Sequence, residues 1–177
     1  MLFCIVGPSG CGKSTIVAEL NKLGYISVDS YTTRPKRTPD EKGHTFITDE
    51  EYNNLKNIVA HTVFNGYKYC VTTDMLKNCD LYIIDPPGIF TLKESGIDFK
   101  VIGLTLNKEE CKNRMLNGRG DTIEKVEDRL KHDEKVFKDF EKICDYVINT
   151  NDSIENIVRQ IDVIIKNNRG SNNSWKS

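Results

Sequence analysis

The chain has 177 residues, of which 38% are hydrophobic and 29% charged, so its length and composition fit one globular domain with small insertions. Its 25 Lys and Arg against 26 Asp and Glu give a net charge of −1, which excludes a strongly basic protein that coats duplex nucleic acid. There is no apolar run long enough to cross a bilayer and no C-x-x-C pair among the six cysteines. We therefore expect a cytoplasmic protein with reduced thiols and neither membrane nor nucleic-acid partners.

The chain is predicted to open with a strand, a glycine-rich loop and a helix. Residues 2–6 are apolar and too few for a helix, and the helical apolar spacing that begins at Ile16 stops at Gly24. Between them lies a segment that satisfies the pattern G-x-x-x-x-G-K-[ST]: Gly7-Pro8-Ser9-Gly10-Cys11-Gly12-Lys13-Ser14.

This placement between a strand and a helix is the one that a phosphate-binding P-loop requires. Glycines allow consecutive N–H groups to point into one concavity, and the helix N-terminus adds a positive dipole end. Lys13 can reach the β- and γ-phosphates, and the Ser14 hydroxyl can bind Mg²⁺. The sequence therefore predicts a nucleoside triphosphate site formed by the loop and the first helical residues, Gly7 through Ser14 together with Thr15.

A polar stretch and a hairpin follow. Residues 25–28 are predicted as a second short strand and residues 30–48 as a loop with local positive charge. In this loop Arg34 and Arg37 are three residues apart, so both can converge on one phosphate if the chain turns there. Thr48 and Glu51 predict a capping box, and alternation on both sides of Asn65-Gly66 predicts a type I′ hairpin.

The second half of the chain alternates strands and helices. Residues 81–84 form an apolar strand ending in Asp85, where P-loop enzymes place a carboxylate near Mg²⁺; alternatively Asp85 caps a helix or forms a turn. Strands are also expected at 99–106 and 146–148, a long helix from Asp121, and a frayed polar tail at 167–177. The charged face of the long helix, His132 included, is expected to be solvated.

Three arginines bracket the glycine-rich break before that long helix. They are Arg114, Arg119 and Arg129, and the break contains Gly118 and Gly120. Arginines beside glycines suit a lid that closes over a migrating phosphoryl group, although a solvated loop would show the same pattern. Five apolar strands alternating with helices, with one inserted hairpin, predict an α/β protein with a parallel sheet.

The order of these motifs resembles that of guanylate kinases. The resemblance extends to about Lys166 and rests on the P-loop, the 30–37 segment, the hairpin at 64–69 and the arginines from 114 to 129. It implies a P-loop NTPase-type five-stranded sheet flanked by helices, formed by residues 1–29 and 73–166. It further implies a monophosphate-binding domain inserted at 30–72 and a helical lid around 114–129.

The resemblance also implies roles for single residues. Lys13 would act in catalysis with the lid arginines Arg114, Arg119 and Arg129, and Ser14 and Asp85 would hold Mg²⁺. The residues implied in acceptor binding are Arg34, Arg37 and Tyr69 for the phosphate, Ser30 for the base, and also His44 and Asp85.

The chain departs from the family pattern at the acceptor base. His44 stands where the family usually has tyrosine, and Ala60 stands where a glutamate usually reads the guanine edge. The small hydroxyl residue expected after the hairpin falls on Val71 or Thr72, and Asp85 is the sole acid at the end of its strand. His61 is either a plain strand residue or a contact to the base.

The sequence thus predicts a guanylate-kinase-like enzyme, a monomer or homodimer, that transfers the γ-phosphoryl group of Mg·ATP to GMP, dGMP or another nucleoside monophosphate. Two alternatives remain at this point. One is a kinase of another phosphorylated acceptor, such as a sugar phosphate, and the other is an interaction module without catalysis.

Overall fold

A computed structural model describes residues 1–118 and 120–170 of the chain. Its core is a sheet of four parallel strands, numbered here in chain order together with those of a second sheet. In spatial order these are β6 (Leu81–Ile83), β1 (Leu2–Val6), β7 (Phe99–Thr105) and β8 (Tyr146–Asn149). The apolar run at the start of the chain is thus a central strand, paired on both sides.

The predicted strand at residues 25–28 is reduced to one parallel bridge, between Ser27 and Leu81. The Val28 N–H donates to the Leu81 carbonyl at 2.9 Å, so the segment lies along the edge of the sheet without forming a full ladder. The prediction of five full strands is wrong here because the chain turns away after Val28 and enters the second sheet at Ser30.

The second sheet is mixed and has four strands in the order β3-β2-β5-β4. They are β2 (Ser30–Thr32), β3 (His44–Phe46), β4 (Ile58–Phe64) and β5 (Tyr67–Thr72). Asn65 and Gly66 both have positive φ, 48° and 78°, which confirms the predicted hairpin turn. The loop predicted at 30–48 instead contributes β2 and β3, because backbone pairing fixes three-residue strands that show no apolar alternation.

Seven α-helices are described, and α1, α4 and α7 cover the core sheet. They are α1 (Lys13–Lys22), α2 (Asp49–Asn54), α3 (Thr73–Leu76), α4 (Pro86–Glu94), α5 (Lys108–Asn113), α6 (Ile123–Val136) and α7 (Ile154–Gly170). The capping box of Thr48 and Glu51 is confirmed, whereas α6 is capped by Thr122, one residue later than predicted. None of these helices is long and apolar enough to cross a membrane.

Helix α4 shows that Asp85 caps a helix, one of the predicted alternatives, whereas the end of the chain differs from the prediction. Pro86 and Pro87 occupy the first turn of α4, where the backbone N–H has no partner within the helix and its absence costs nothing. The prolines that follow β6 therefore begin a helix. Residues 167–170 of the predicted frayed tail continue α7, and residues 171–177 lie outside the described part of the chain.

Both faces of the core sheet are buried. Along β1 the side chains alternate between two apolar clusters, with Phe3 and Ile5 packed toward α1 and α7 and Cys4 and Val6 packed toward α4. The second cluster also takes in residues of the inserted sheet, so the insert is anchored to the core by apolar packing. The P-loop consequently leaves a rigid central strand and faces the inserted sheet.

Candidate functional site

The loop between β1 and α1 has room for glycine alone at two positions. A Cβ atom on Gly7 would lie 2.5 Å from the Leu104 carbonyl oxygen, and one on Gly10 would lie 2.5 Å from that of Cys111. Gly10 and Gly12 have φ angles of 84° and 97° in the left-handed region, which other residues rarely adopt. The motif glycines therefore pack the loop tightly against the core sheet and α5.

Lys13 folds back over this loop. Its Nζ donates to the carbonyl oxygens of Gly7 at 2.5 Å and Pro8 at 2.9 Å. Ser14 and Thr15 follow on the first turn of α1 and are exposed. The cation and the Ser14 hydroxyl thus stand at the start of the helix, where the sequence predicts that phosphates and Mg²⁺ bind.

Two clefts flank the loop. The first, which we call the acceptor cleft, combines residues of the loop, of β6, of the inserted sheet and of α6, including Ser9, Lys13, Asp85, Ser30, His44, Tyr69, His132 and Asp133. The second, the donor cleft, is lined among others by Gly10, Gly12, Thr15, Arg114, Thr150 and Asp152. The P-loop is therefore accessible from two sides.

The structure shows one of the two roles between which the sequence left a choice for Asp85, that of a helix cap, and its Mg²⁺ role stays a prediction. Its Oδ1 accepts the Gly88 N–H at 2.9 Å, which makes Asp85 the N-cap of α4. The same residue lines the acceptor cleft together with Lys13. Among the hydrogen bonds of the described residues, only Oδ1 is engaged, and Oδ2 remains as an acceptor.

Ser30 and His44 face each other across the pair of β2 and β3. The register places them opposite each other, and the Ser30 Oγ lies 3.0 Å from the His44 Nδ1. The His44 ring meets Tyr69 edge-on at 5.6 Å between centroids. Burial, and then the charge of Arg34, lower the pKa of His44, so the imidazole is neutral at pH 7.

Arg34 is buried and paired with a carboxylate. It is 8% exposed, and its two terminal nitrogens donate to the Glu41 carboxylate at 2.8 and 3.2 Å. Burial disfavours the charge on Arg34, yet hydrogen bonds to Glu41 and Tyr69 outweigh this effect and raise the pKa of Arg34. The same pairing lowers the pKa of Glu41 to about 2.

Glu41 organises the loop that carries both predicted phosphate ligands. Besides Arg34, its carboxylate accepts the backbone N–H of Arg37 at 2.6 Å. The Arg34 Nε is buried without a hydrogen-bond partner among the described residues. Sequence analysis missed Glu41 because two adjacent acids, Asp40 and Glu41, beside four basic residues looked like part of a solvated loop.

The two described lid arginines lie in different places. Arg129 lines a third cavity with Arg34, Arg37 and Asp121, and burial followed by the charges of Arg34 and Arg129 lowers the pKa of Arg37. Arg114 instead lies in a π-helical turn, Arg114–Gly118, beside the P-loop.

The contacts of Arg114 place it at the donor cleft. Its Nε donates to Glu110 at 3.1 Å and its terminal nitrogen to the Thr150 carbonyl at 3.2 Å. The structure therefore separates Arg114 from Arg129, and Arg119 lies outside the described residues.

Ala60 does not face the acceptor cleft. It is fully buried opposite Val71 in the apolar cluster that joins the insert to the core sheet. Thr62, two residues further along the same face of β4, pairs with Tyr69 and lines the cleft with His61. On β4, Thr62 and His61 therefore line the cleft and Ala60 does not.

His132 contradicts the expectation of a solvated charged face on α6, and Asp133 is a buried acid on the apolar stripe of the same helix. The His132 ring packs edge-on against Phe64 at 4.4 Å, and Asp133, which is 8% exposed, accepts the Ser9 N–H. The spacing held a signal for Asp133, since positions 126, 130, 133 and 137 follow a helical apolar stripe. A charged residue on that stripe indicates a buried polar contact.

Comparisons with known proteins agree on one family. A family model described as guanylate kinase matches residues 1–168. The guanylate kinase of Schizosaccharomyces pombe is 30% identical over 90% of this chain and 87% of its own length, and that of Fusobacterium nucleatum is 30% identical over 94% and 96%. A guanylate kinase structure from Anaplasma phagocytophilum aligns with a TM-score of 0.72 at 22% identity, covering 95% of this chain and 85% of that one. The predicted α/β fold class, with a parallel sheet flanked by helices, is confirmed.

Proposed function

The chain belongs to the guanylate kinase family and is an ATP-dependent nucleoside monophosphate kinase, and we propose that its acceptor is GMP or dGMP, bound in the acceptor cleft. The observation that carries this proposal is the position of the P-loop between two clefts. Lys13 lines one cleft together with Ser30, His44 and Tyr69, while Gly12 and Thr15 line the other. Two nucleotides can therefore approach the P-loop from two sides, with Lys13 on the side of the acceptor cleft.

The donor half of the proposal places ATP on the P-loop. The backbone N–H groups of the loop from Ser9 to Thr15 would bind the phosphates, and the adenosine would occupy the donor cleft beside Arg114. Phosphoryl transfer is accelerated mainly by positioning and charge neutralisation. The protein therefore has to align the two nucleotides and neutralise their charge, and it needs no covalent intermediate.

The residues present fit Mg²⁺ as a partner of ATP. The described residues contain no group of three His, Cys, Asp or Glu side chains that could hold a metal ion, and Mg²⁺ with nucleotides needs only one or two protein ligands beside phosphate oxygens. Ser14 offers a hydroxyl and Asp85 a second carboxylate oxygen. When bound, the ion would neutralise charge on the phosphates.

The acceptor half of the proposal assigns the phosphate to Arg34, Arg37 and Tyr69. These side chains belong to one polar network around Glu41, and a phosphate bound there would face guanidinium groups already held in place. The acceptor oxygen is ionised at neutral pH, so no general base is required.

The base would bind deeper in the cleft, near Ser30, His44 and Asp85. The one carboxylate oxygen of Asp85 that is free among the described residues, Oδ2, can accept a single N–H of guanine or serve Mg²⁺, not both. The lid arginines Arg114, Arg119 and Arg129 would act on the transferred phosphoryl when the lid closes. We also propose a cytoplasmic location, consistent with six free thiols in the structure.

An acceptor panel tests the proposal. ADP release from Mg·ATP would be measured with GMP, dGMP, AMP, dTMP, dCMP and a sugar phosphate, with and without EDTA. We expect the highest kcat/KM for GMP and dGMP, loss of turnover with EDTA, and a preference over AMP below about 10³-fold, because Ala60 replaces a base-reading carboxylate. Turnover of the sugar phosphate alone, or of no acceptor, would contradict the proposal.

A further inference from the structure

A side chain of the protein itself occupies part of the phosphate-binding loop. The carboxylate of Asp133 on α6 lies with its Oδ2 2.6 Å from the backbone nitrogen of Ser9, the third residue of the P-loop motif. Asp133 is 8% exposed and lines the acceptor cleft beside Lys13. The contact joins residues 124 positions apart, so it is tertiary and not a local turn.

The chemistry of this contact is that of phosphate binding. A P-loop binds anions because its N–H groups converge on one concavity, and a carboxylate that accepts such an N–H forms a charge-assisted hydrogen bond. A phosphate oxygen would need the same donor, and its charge would repel a carboxylate held against the loop. Carboxylate and phosphate therefore exclude each other at Ser9.

We propose that Asp133 is an internal competitor of the nucleotide phosphates, which accepts the Ser9 N–H and must leave it before a phosphate binds there. The inference rests on the proposed function in one respect, that the P-loop binds the phosphates of ATP. It adds a residue of α6 that weakens binding of ATP.

Release of Asp133 would also act on the lid. Asp133 follows Arg129 by about one helical turn, and its neighbour His132 packs against Phe64 of the inserted hairpin. The helix α6 thus contacts the P-loop and the acceptor domain through adjacent residues. When a phosphate binds at Ser9, the hydrogen bond between α6 and the P-loop is lost. Arg129 of α6 could then move relative to ATP.

Equilibrium binding to variants of the full chain tests the inference. Asp133→Ala removes the competitor, Asp133→Asn removes its charge but keeps an acceptor, and Glu127→Gln makes the same charge change at an exposed position of α6. Calorimetry with ATP and with inorganic tripolyphosphate should give binding about 10-fold tighter for Asp133→Ala, about 3-fold tighter for Asp133→Asn, and unchanged for Glu127→Gln. Adenosine, which has no phosphate, should bind all four proteins equally.

The outcomes separate this inference from the proposed function. If wild type binds ATP and both Asp133 variants bind it no more tightly, the carboxylate is only a structural tether and the inference fails alone. If wild type does not bind ATP, the P-loop assignment fails and the inference fails with it. Thermal denaturation of each variant identifies misfolding, and because Asp133→Asn keeps shape and acceptor, it supplies the decisive comparison if Asp133→Ala does not fold.

Discussion

The two halves of the site are built in different ways. The P-loop is one uninterrupted segment between β1 and α1, and its shape is enforced by close backbone approaches at Gly7 and Gly10. The acceptor half is assembled from β2, β3, β5 and a polar loop, and its key arginine depends on the carboxylate of Glu41. Geometry in the first half is therefore set by sterics, and in the second half by charge.

This difference predicts how each half fails. Removal of a functional side chain from the P-loop should abolish chemistry and leave the fold intact, because the loop is held by glycine packing. Removal of a charged side chain from the acceptor half should affect both binding and stability, since the same groups serve both.

The largest effect is expected for Lys13→Ala. Among the described residues, the Lys13 Nζ donates to two carbonyl oxygens of the loop and lies near the Cys11 thiol, so its loss should lower kcat/KM by about 10³-fold or more with little change in melting temperature. Lys22→Ala, at an exposed position of the same helix, serves as the matched control. Near-normal turnover by Lys13→Ala would show that the P-loop does not carry the reaction.

Arg34→Ala should act on one substrate. Because charge-assisted hydrogen bonds contribute about 1.5–3 kcal/mol each, the KM for GMP should rise by about 10²-fold and that for ATP by less than about 3-fold. Arg37→Ala should show the same order with a smaller rise, since its side chain is half exposed. Arg159→Ala on α7 controls for loss of charge. Equal rises for both substrates would place these arginines outside the acceptor half.

Glu41→Gln should make the acceptor half less stable in a pH-dependent way. The folded pKa of Glu41 is about 2 and its ordinary value 4.5, so its stabilising effect is complete above the ordinary value and is lost as the pH falls toward 2. Denaturant unfolding should therefore show wild type more stable than Glu41→Gln at pH 7, with the difference shrinking below pH 4.5. Glu94→Gln, at an exposed position, should show no such trend; a constant difference for Glu41 would contradict the ion pair.

The smallest effect is expected from the thiols. Burial raises the pKa of Cys70 and of Cys111 to about 11, so both are protonated and unreactive at neutral pH. Activity should be the same with and without reductant over an hour, although Cys11 lies within the P-loop itself. A loss of turnover that reductant restores would show that the loop is less tightly packed than its glycine contacts indicate.

Most of the fold could be predicted because its signals are local. Short apolar runs indicated all four strands of the core sheet, and Asn65-Gly66 indicated the hairpin. The strands β2 and β3 could not be found, since three polar or aromatic residues form a strand only when a neighbour supplies its backbone partners. Helix α4 was left open between a helix capped by Asp85 and a turn, because Pro86 and Pro87 fit the first turn of a helix as well as a loop.

The residues of the site likewise differ in whether a local sequence signal indicates them. The P-loop could be located by its eight-residue spacing alone, and Asp85 by its place at a strand end. Glu41, His132 and Asp133 were missed because each acts through a partner that is distant in sequence or belongs to another element. Their roles depend on tertiary contacts. For Asp133, however, its position on an apolar stripe indicated a buried polar contact.

Donor and acceptor phosphates are expected to meet between the P-loop and the inserted sheet. A dinucleotide in which adenosine and guanosine are joined by five phosphates would span both clefts at once, and calorimetry would measure its binding to wild type, Lys13→Ala and Arg34→Ala. We predict one molecule bound per chain, at least about 10²-fold more tightly than ATP or GMP, with affinity lost in both variants. Two molecules bound per chain, or an affinity no better than that of ATP, would contradict the account.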